Sequence, residues 1–272
     1  MNFKRIESTI DVGIMQGSTA TVVGGAFGLV CDLVRSGLGE VRTVDFDVVD
    51  ETNPARQDFY ADDEGHRKVD AVSATLQRIN PAVKVKVVPR DFCGLARDEM
   101  DELLEGTHLL IMATDSFAAQ ARGNVEAVRL GIPTMWIGLY AGGRAGEIIF
   151  HLPGITRACF RCIARSRYEA GPSQQTDVSS DGGTVLDLRL VDAVAAQIAA
   201  GIITRGADNR MGKLILKLGN RNLLQVKIDP DYRLGGKDIF GEYLGNSSAN
   251  FSFTTIALEM EQEYDCPDCG GR

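Results

Sequence analysis

A glycine-rich turn between two apolar runs constrains the fold of this chain more than any other feature of its sequence. Residues 19–23 form a run rich in β-branched side chains, and three glycines follow it within 24–28. Apolar residues then recur with helical spacing over 27–34, and a second apolar run over 41–44 ends at Asp45. A strand, a glycine turn, a helix and a second strand are the parts of a nucleotide-binding β-α-β unit.

Each part of this unit suits a phosphate-bearing ligand. Gly25 and Gly28 lack side chains, so the backbone can approach a phosphate closely, and the N-terminus of the following helix offers unpaired N–H groups. Asp45 lies about 20 residues after the turn, at the end of the second strand, where a ribose hydroxyl group would bind. Because an NAD-dependent oxidoreductase uses the same turn and the same acidic residue, this unit by itself leaves the nucleotide open.

Further motifs follow the glycine turn along the chain. The full set is V-G-G-A-F-G at 23–28, D-F-D at 45–47, T-N-P-A-R-Q at 52–57, G-H-R-K at 65–68 and A-T-D-S at 113–116. Together these motifs resemble the signature of the ThiF/MoeB/HesA family, the E1-like adenylating relatives of ubiquitin-activating enzymes. Two positions differ from the turn of that family, since Val23 and Ala26 stand where it has glycines.

The resemblance implies an adenylyltransferase that uses ATP and Mg²⁺. In that family the C-terminal carboxylate of a small ubiquitin-like or sulfur-carrier protein, or of a peptide, attacks the α-phosphate, and an acyl-adenylate and pyrophosphate form. The nucleotide-binding residues that it implies are Gly25, Gly28, Asp45, Asp47, Asn53, Arg56, Gln57, Lys68 and Asp115. The resemblance implies that Asn53, Arg56 and Lys68 bind the phosphates. It assigns the support of magnesium to Asp115, and the implied catalytic residues are Arg56, Lys68 and Asp115.

Four of these residues also have purely structural interpretations, and Asp45 by itself could be a solvated strand end. Arg56 and Lys68 would be ordinary surface charges in another sequence context, and Asp115 could serve only to cap the helix that follows it. The N-x-x-R-Q stretch that contains Arg56 favours the functional interpretation, and capping does not exclude a role for Asp115 in the site.

Composition and charge restrict the partners. The chain has 272 residues and a net charge of −8, which argues against nucleic acid or an anionic membrane as the main partner. No apolar run approaches the roughly 18 residues of a membrane span, and the N-terminus lacks the apolar region of a signal peptide. We therefore expect a cytoplasmic protein, and the family resemblance implies a homodimer.

Apolar patterning predicts one Rossmann-like α/β domain over 1–272, with a doubly wound, mainly parallel sheet that antiparallel C-terminal strands extend. We expect the nucleotide-binding half over 1–150, and a zinc knuckle, a crossover loop and a substrate-facing half over 151–272. The predicted elements are helices over 64–80 and 186–203, strands over 83–88, 109–112 and 134–137, antiparallel strands over 214–218, 223–228 and 251–258, and a mobile loop over 165–184.

Four cysteines form two C-x-x-C pairs about a hundred residues apart. These are Cys159, Cys162, Cys266 and Cys269. Four thiolates in this pattern match a tetrahedral zinc site, which is structural because it has no open position. A redox dithiol and buried free thiols are the alternatives. Members of the resembling family place zinc knuckles at the same two points. Cys31 and Cys93 are predicted to be buried apolar side chains.

The lack of one cysteine bears on the reaction. Relatives that form a thioester or a persulfide carry a cysteine in the loop after the first knuckle, whereas this chain has none between Cys162 and Cys266. Thr176 and Ser179 are poor substitutes, because a hydroxyl group lacks the accessible anion of a thiol. We therefore expect the reaction to end at the adenylate, or to pass it to a nucleophile of another protein. A non-catalytic adaptor that binds a ubiquitin-like partner is a further alternative, which the complete set of polar residues disfavours.

Overall fold

The described residues of the computed structural model, 1–170, 182–245 and 250–270, form one eight-stranded sheet flanked by helices. The strands are β1 (Thr19–Gly24), β2 (Glu40–Val44), β3 (Lys84–Val88), β4 (Leu109–Ala113), β5 (Thr134–Leu139), β6 (Ala145–His151), β7 (Arg221–Lys227) and β8 (Thr254–Glu259). The helices are α1 (Val12–Gln16), α2 (Phe27–Arg35), α3 (Lys68–Ile79), α4 (Arg97–Leu104), α5 (Phe117–Leu130), α6 (Phe160–Ile163), α7 (Arg165–Glu169), α8 (Val185–Ile203), α9 (Arg210–Leu218) and α10 (Ile239–Leu244). Short 3₁₀ turns cover Asn53–Ala55, Ala61–Asp63, Phe92–Gly94 and Ala141–Gly143.

The sheet combines a parallel part with an antiparallel part. Its strand order is β3-β2-β1-β4-β5-β6-β7-β8. β1 pairs in parallel with both β2 and β4, and the parallel part extends to β3 on one side and to β5 on the other. The strands from β5 to β8 then pair antiparallel, each with the next. The predicted doubly wound, mainly parallel sheet with antiparallel C-terminal strands is confirmed.

The strand order reverses direction at β1, and this reversal determines where a ligand can bind. The chain builds the sheet outward from β1 through β2 and β3, then returns to the other side of β1 with β4 and β5. In open parallel sheets the ligand lies outside the carboxyl ends of the strands at such a reversal. Gly24, Val44 and Ala113 end β1, β2 and β4 at this point.

Two apolar cores cover the two faces of the sheet. Helices α2, α3, α8 and α9 contribute to one core, and α4, α5, α6 and α10 contribute to the other. Successive residues of β4 alternate between them, since Leu109 and Ile111 belong to the first core whereas Leu110 and Met112 belong to the second. β4 is therefore buried on both faces, as a central parallel strand must be. Of the described helices, none combines the length and the apolarity that crossing a membrane requires.

The predicted strand over 214–218 is wrong, because this segment is the last part of helix α9. The helix begins earlier, where the side chain of Asn209 caps it by accepting a hydrogen bond from the Gly212 N–H at 2.9 Å. Met211 and Ile215, four residues apart, are buried, whereas Leu216 is 60% exposed. This pattern follows a helical repeat, and the short run over 214–218 alone does not display it.

The other predictions for the second half of the chain are largely correct. The strands over 223–228 and 251–258 correspond to β7 and β8, and the helix over 186–203 corresponds to α8. The loop predicted over 165–184 differs, because it begins with helix α7. Residues 171–181, which contain Thr176 and Ser179, lie outside the described residues. β6 received no prediction, and it spans the expected boundary at residue 150; the division into two functional halves stays a prediction.

Close packing between α8 and β6 depends on a glycine, which gives a test of the fold. A side chain at Gly146 would overlap the Cγ2 atom of Val191 and would lie 3.2 Å from the carbonyl oxygen of Gly138. We expect Gly146→Ala to lower the free energy of unfolding by about 1–3 kcal/mol, as overpacked core substitutions do. Urea denaturation measures this change.

Val191→Ala provides the matched partner for this test. It removes the methyl group that Gly146→Ala would meet, so the double variant should be more stable than the sum of the two single losses predicts. Strictly additive losses, or an unchanged denaturation midpoint for Gly146→Ala, would contradict the close approach of α8 to β6.

Candidate active site

A cavity of about 460 Å³ opens at the carboxyl ends of the parallel strands. Its size falls within the range of small-molecule sites. The predicted nucleotide-binding residues that line it are Gly25, Gly28, Asp45, Asp47, Arg56, Gln57, Lys68 and Asp115. Residues from β1, β2, β4 and the connections after them thus meet at one place. The structure brings together side chains that lie far apart in the sequence.

Asn53 is the predicted residue that does not join this lining. It begins the 3₁₀ turn Asn53–Ala55, and its carbonyl oxygen accepts hydrogen bonds from the N–H groups of Arg56 at 3.0 Å and Gln57 at 2.7 Å. Its side-chain oxygen accepts one from the Asp50 N–H at 3.3 Å. In this structure Asn53 therefore orients the stretch that carries Arg56 and Gln57, and its contact with phosphate stays a prediction.

Each of the first two positions of the glycine turn lacks room for a side chain. Gly24 has φ of +90°, and a side chain there would lie 2.5 Å from the carbonyl oxygen of Ala113. A side chain at Gly25 would overlap Nε2 of Gln57, which donates to the Gly25 carbonyl oxygen at 3.4 Å. The turn is therefore tied both to β4 and to the motif that contains Gln57.

Two carboxylates that the sequence analysis did not single out face the third glycine of the turn. A side chain at Gly28 would lie 2.7 Å from Oδ2 of Asp58 and 2.9 Å from Oδ2 of Asp192. Asp58 forms an ion pair with Arg189 of α8. Burial raises the pKa of Asp192 to about 7; the Leu29 N–H at the start of α2 opposes this shift by hydrogen bonding, while the charge of Asp58 adds to it.

Lys68 forms an ion pair with Asp47 and interacts electrostatically with Asp45. Nζ of Lys68 lies 2.9 Å from Oδ2 of Asp47, and the Lys68 side chain is only 15% exposed. Burial raises the pKa of Asp45, which the Asp47 N–H lowers in part by donating at 2.8 Å to Oδ1 of Asp45. The charges of Asp47 and Asp115 also raise this pKa, so the three carboxylates interact electrostatically. Carboxylate oxygens are the ligands that Mg²⁺ prefers, and a magnesium site at these residues stays a prediction.

The cap of α5 bears on the structural interpretation of Asp115. The capping residue is Ser116, whose Oγ accepts a hydrogen bond from the Ala119 N–H at 3.3 Å. Asp115 precedes the cap and lines the cavity. Ser116 therefore caps the helix, and a role for the Asp115 carboxylate in the site stays a prediction.

The two remaining cysteines differ in their surroundings. Cys31 is buried in α2, and burial raises the pKa of its thiol to about 12. Cys93 is only partly buried, although it packs against the second core, and it lines the cavity, so the prediction that it is a buried core residue is correct only in part. Partial burial, with the charge of Asp91, raises the pKa of Cys93 as well.

The four knuckle cysteines meet at a separate site. Their Sγ atoms all lie within 4.8 Å of one another. Sγ of Cys159 is 3.8 Å from that of Cys162 and 3.7 Å from that of Cys266, and Cys162 is 3.6 Å from Cys269. A tetrahedral zinc ion with Zn–S bonds of about 2.3 Å requires S···S distances of about 3.8 Å. The donor set and its spacing fit zinc.

Comparison with known proteins identifies the family of this chain. The model of the ThiF family matches residues 21–227. This chain belongs to the ThiF family. The resemblance that its motifs predict is thereby confirmed.

Curated relatives of the ThiF-family chain include two activating enzymes. Ubiquitin-like modifier-activating enzyme 5 of Aedes aegypti is 33% identical over 162 residues, which cover 55% of this chain and 40% of the relative. A sulfur carrier protein adenylyltransferase of Thermus thermophilus is 33% identical over 153 residues, which cover 53% of this chain and 55% of the relative. The chain thus spans about half the length of these relatives or less.

Solved structures share the fold of this ThiF-family chain. A crystal structure of E. coli MccB with MccA has a TM-score of 0.69 at 17% identity and covers 95% of this chain and 68% of MccB. MccB with ATP has a TM-score of 0.68 at 17% identity, over 95% of this chain and 68% of MccB. At such identities the likeness establishes the fold.

Cys93 gives a test of the cavity through its thiol. We expect N-ethylmaleimide to label Cys93 in the folded protein and to leave Cys31 unlabelled, with peptide mass spectrometry as the measurement. The raised pKa of Cys93 means that less of it is thiolate at neutral pH than in an ordinary cysteine, so its labelling rate should keep rising above pH 9. ATP should slow the labelling. A labelling rate that ATP does not change would contradict the location of Cys93 beside the bound nucleotide.

Zinc content gives a test of the knuckles. Purified protein should contain about one zinc ion per chain, as a closed tetrathiolate site requires. Chelation should lower the melting temperature before it lowers nucleotide affinity, because the metal stabilises the folded chain. Metal analysis and thermal denaturation measure both effects. Metal-free protein with an unchanged melting temperature would contradict a structural zinc site.

Proposed function

We propose that this chain is an ATP-dependent adenylyltransferase that activates the C-terminal carboxylate of a small ubiquitin-like or sulfur-carrier protein, or of a peptide. The observation that carries this proposal is the convergence of Arg56, Lys68 and Asp115 on one cavity at the carboxyl ends of the parallel strands. The names of the curated relatives, a sulfur carrier protein adenylyltransferase and a ubiquitin-like modifier-activating enzyme, support the same reaction class.

The proposed reaction needs charge neutralisation more than proton transfer. A carboxylate oxygen of the substrate attacks the α-phosphorus of ATP, the bond from that phosphorus to the bridging oxygen breaks, and pyrophosphate leaves with the electron pair. The attacking carboxylate is already ionised at neutral pH, so no general base is required. Catalysis then rests on positioning and on electrostatic stabilisation of the phosphate oxygens.

The residues of the cavity have different roles in this proposed reaction. Arg56 and Lys68 neutralise the phosphate charge, and Lys68 exchanges its ion pair with Asp47 for a phosphate contact. Asp45 binds the ribose hydroxyl groups at the end of β2. Mg²⁺, when bound, would supply further positive charge to the phosphates, and Asp115 is the carboxylate that we assign to it.

Apolar side chains from β5 and α8 also line the cavity, and they suit the tail of an acyl substrate. Ile137 and Leu139 of β5 lie there with Val185 and Leu188 of α8. An extended peptide tail could pack against these side chains and reach the phosphates with its carboxylate. We infer that the tail enters along the ends of β5 and α8.

The fate of the adenylate follows from the cysteines. The chain has no cysteine between Cys162 and Cys266, and the raised pKa values of Cys31 and Cys93 disfavour either thiol as a nucleophile. We propose that the adenylate is released or passed to another protein, without a thioester on this chain. A homodimer and a cytoplasmic location remain part of the proposal.

The oxidoreductase alternative has no support among the relatives reported above. Their names are those of adenylating and activating enzymes. An adaptor would not need the charged set around Lys68. A fluorescence titration with NADH tests the oxidoreductase alternative. An NAD-dependent enzyme would bind NADH in the cavity, whereas this chain should not bind it.

The phosphate contacts predict the effect of two substitutions. Lys68→Ala and Arg56→Ala should each slow ATP–pyrophosphate exchange by about 10–100-fold or more, since a charge-assisted hydrogen bond contributes about 1.5–3 kcal/mol. Exchange is measured with radiolabelled pyrophosphate, ATP, magnesium and small di-glycine-ended proteins from the source organism. The thermal melt followed by circular dichroism should stay nearly unchanged.

Lys86→Ala is the matched control for Lys68→Ala. Lys86 forms an exposed ion pair with Glu102, away from the cavity, and its loss should leave exchange unchanged. Full exchange by Lys68→Ala would contradict the assigned phosphate contact. A thiol-sensitive adduct of substrate and enzyme on a non-reducing gel would contradict the absence of a thioester.

A further inference from the structure

A buried asparagine of α5 lies between the two cysteine knuckles. Asn124 is 0% exposed. Its Oδ1 accepts a hydrogen bond from the Phe160 N–H at 3.0 Å, and its Nδ2 donates to Oδ2 of Asp268 at 2.7 Å and to Sγ of Cys159 at 3.6 Å. The reverse amide orientation would face an N–H with an NH₂ group and a carboxylate with an oxygen. The contacts therefore fix how this side chain is oriented.

Asp268 extends this link from one knuckle to the other. It stands between Cys266 and Cys269 in the sequence, and its carboxylate also pairs with Arg161 at 3.2 Å. Arg161 stands between the two cysteines of the first knuckle. The two knuckles are thus joined by hydrogen bonds and an ion pair that do not involve a metal ion.

N–H groups also point at the sulfur atoms. The Glu263 N–H donates to Sγ of Cys162 at 3.4 Å, and Nε2 of Gln262 donates to Sγ of Cys269 at 3.5 Å. Four thiolates around one Zn²⁺ carry a net charge of −2, and donors to sulfur stabilise that charge and orient the ligands. Among the donors described for this site, Asn124 belongs to a third segment and contacts both knuckles.

We propose that Asn124 is a positioning residue for the zinc centre. Its amide holds Cys159 by a hydrogen bond to the sulfur and holds the second knuckle through Asp268, so the four ligands are aligned when the metal binds. The proposal concerns metal affinity and is independent of the reaction that the cavity performs.

Asn124→Ala tests this role directly. Loss of an outer hydrogen bond to a metal ligand typically weakens metal binding by about 10–100-fold, and we expect a change of that size in the zinc dissociation constant. Competition with a chromogenic zinc chelator measures the constant in the full-length protein. Asn124→Asp has nearly the same shape but turns the donor into an acceptor, so it should weaken zinc binding further.

Asn222→Ala is the matched control. Asn222 is also 0% exposed, and its Nδ2 donates to the carbonyl oxygens of Ala158 at 2.9 Å and Phe150 at 3.1 Å, beside the first knuckle but not to a sulfur. The Asn222→Ala substitution should lower the melting temperature, and it should leave the zinc dissociation constant within about twofold of that of the unsubstituted protein.

Trp136 offers an optical readout of the same site. It is the single tryptophan of the chain, and its ring stacks on that of Phe160 at 4.8 Å between centroids. Because Phe160 lies in the first knuckle and donates its N–H to Asn124, removal of zinc should change the Trp136 fluorescence. In Asn124→Ala this change should occur at lower chelator concentration.

The outcomes that overturn the proposal are specific. Equal zinc dissociation constants for Asn124→Ala and the unsubstituted protein would do so, as would an equal loss of zinc affinity in Asn222→Ala. If Asn124→Ala does not fold, Asn124→Asp refolded with zinc decides the question, and an unchanged dissociation constant in that variant would equally reject the role.

Discussion

The close approach of β1 and β4 at the end of the sheet is the constraint on which the cavity depends. The Gly25 N–H donates to the carbonyl oxygen of Ala113 at 3.0 Å, and the backbone of Gly24 leaves no room for a side chain against that oxygen. This contact brings the ends of the two strands together. The glycine turn, Asp45 and Asp115 therefore open onto one cavity instead of lying along separate strands.

The elements that sequence predicted well are those whose identity depends on local pattern. The β-branched residues of β1, the glycine turn and the helical spacing of α2 indicate the first β-α-β unit without any tertiary information. The segment over 214–218 failed because five apolar-rich residues fit either a strand or the end of a helix, and the decisive residues, Asn209 and Met211, precede it. β6 escaped prediction because all its residues are buried, so it lacks the alternation that marks a half-exposed strand.

Residues of the candidate site likewise differ in whether the sequence alone can predict them. Motif residues such as Arg56, Lys68 and Asp115 carry a recognisable spacing, and the cysteine pairs carry another. Asp192 carries neither, because it reaches the start of α2 only when α8 packs against that helix. Asn124 likewise meets Cys159 and Asp268 only in the folded chain. Contacts of this kind have no local signature, and only the tertiary arrangement displays them.

The zinc knuckles have a consequence for how the protein is made. Cys159 and Cys266 are 107 residues apart, a distance that a ribosome translating roughly 5–20 residues per second covers in roughly 5–20 s. Throughout that interval Cys159 and Cys162 are thiols with half of their ligand set missing, although all five parallel strands have already been synthesised. A metal ion bound by all four cysteines would therefore be captured late in biosynthesis, and the nascent first knuckle would until then be open to oxidation or to a competing metal.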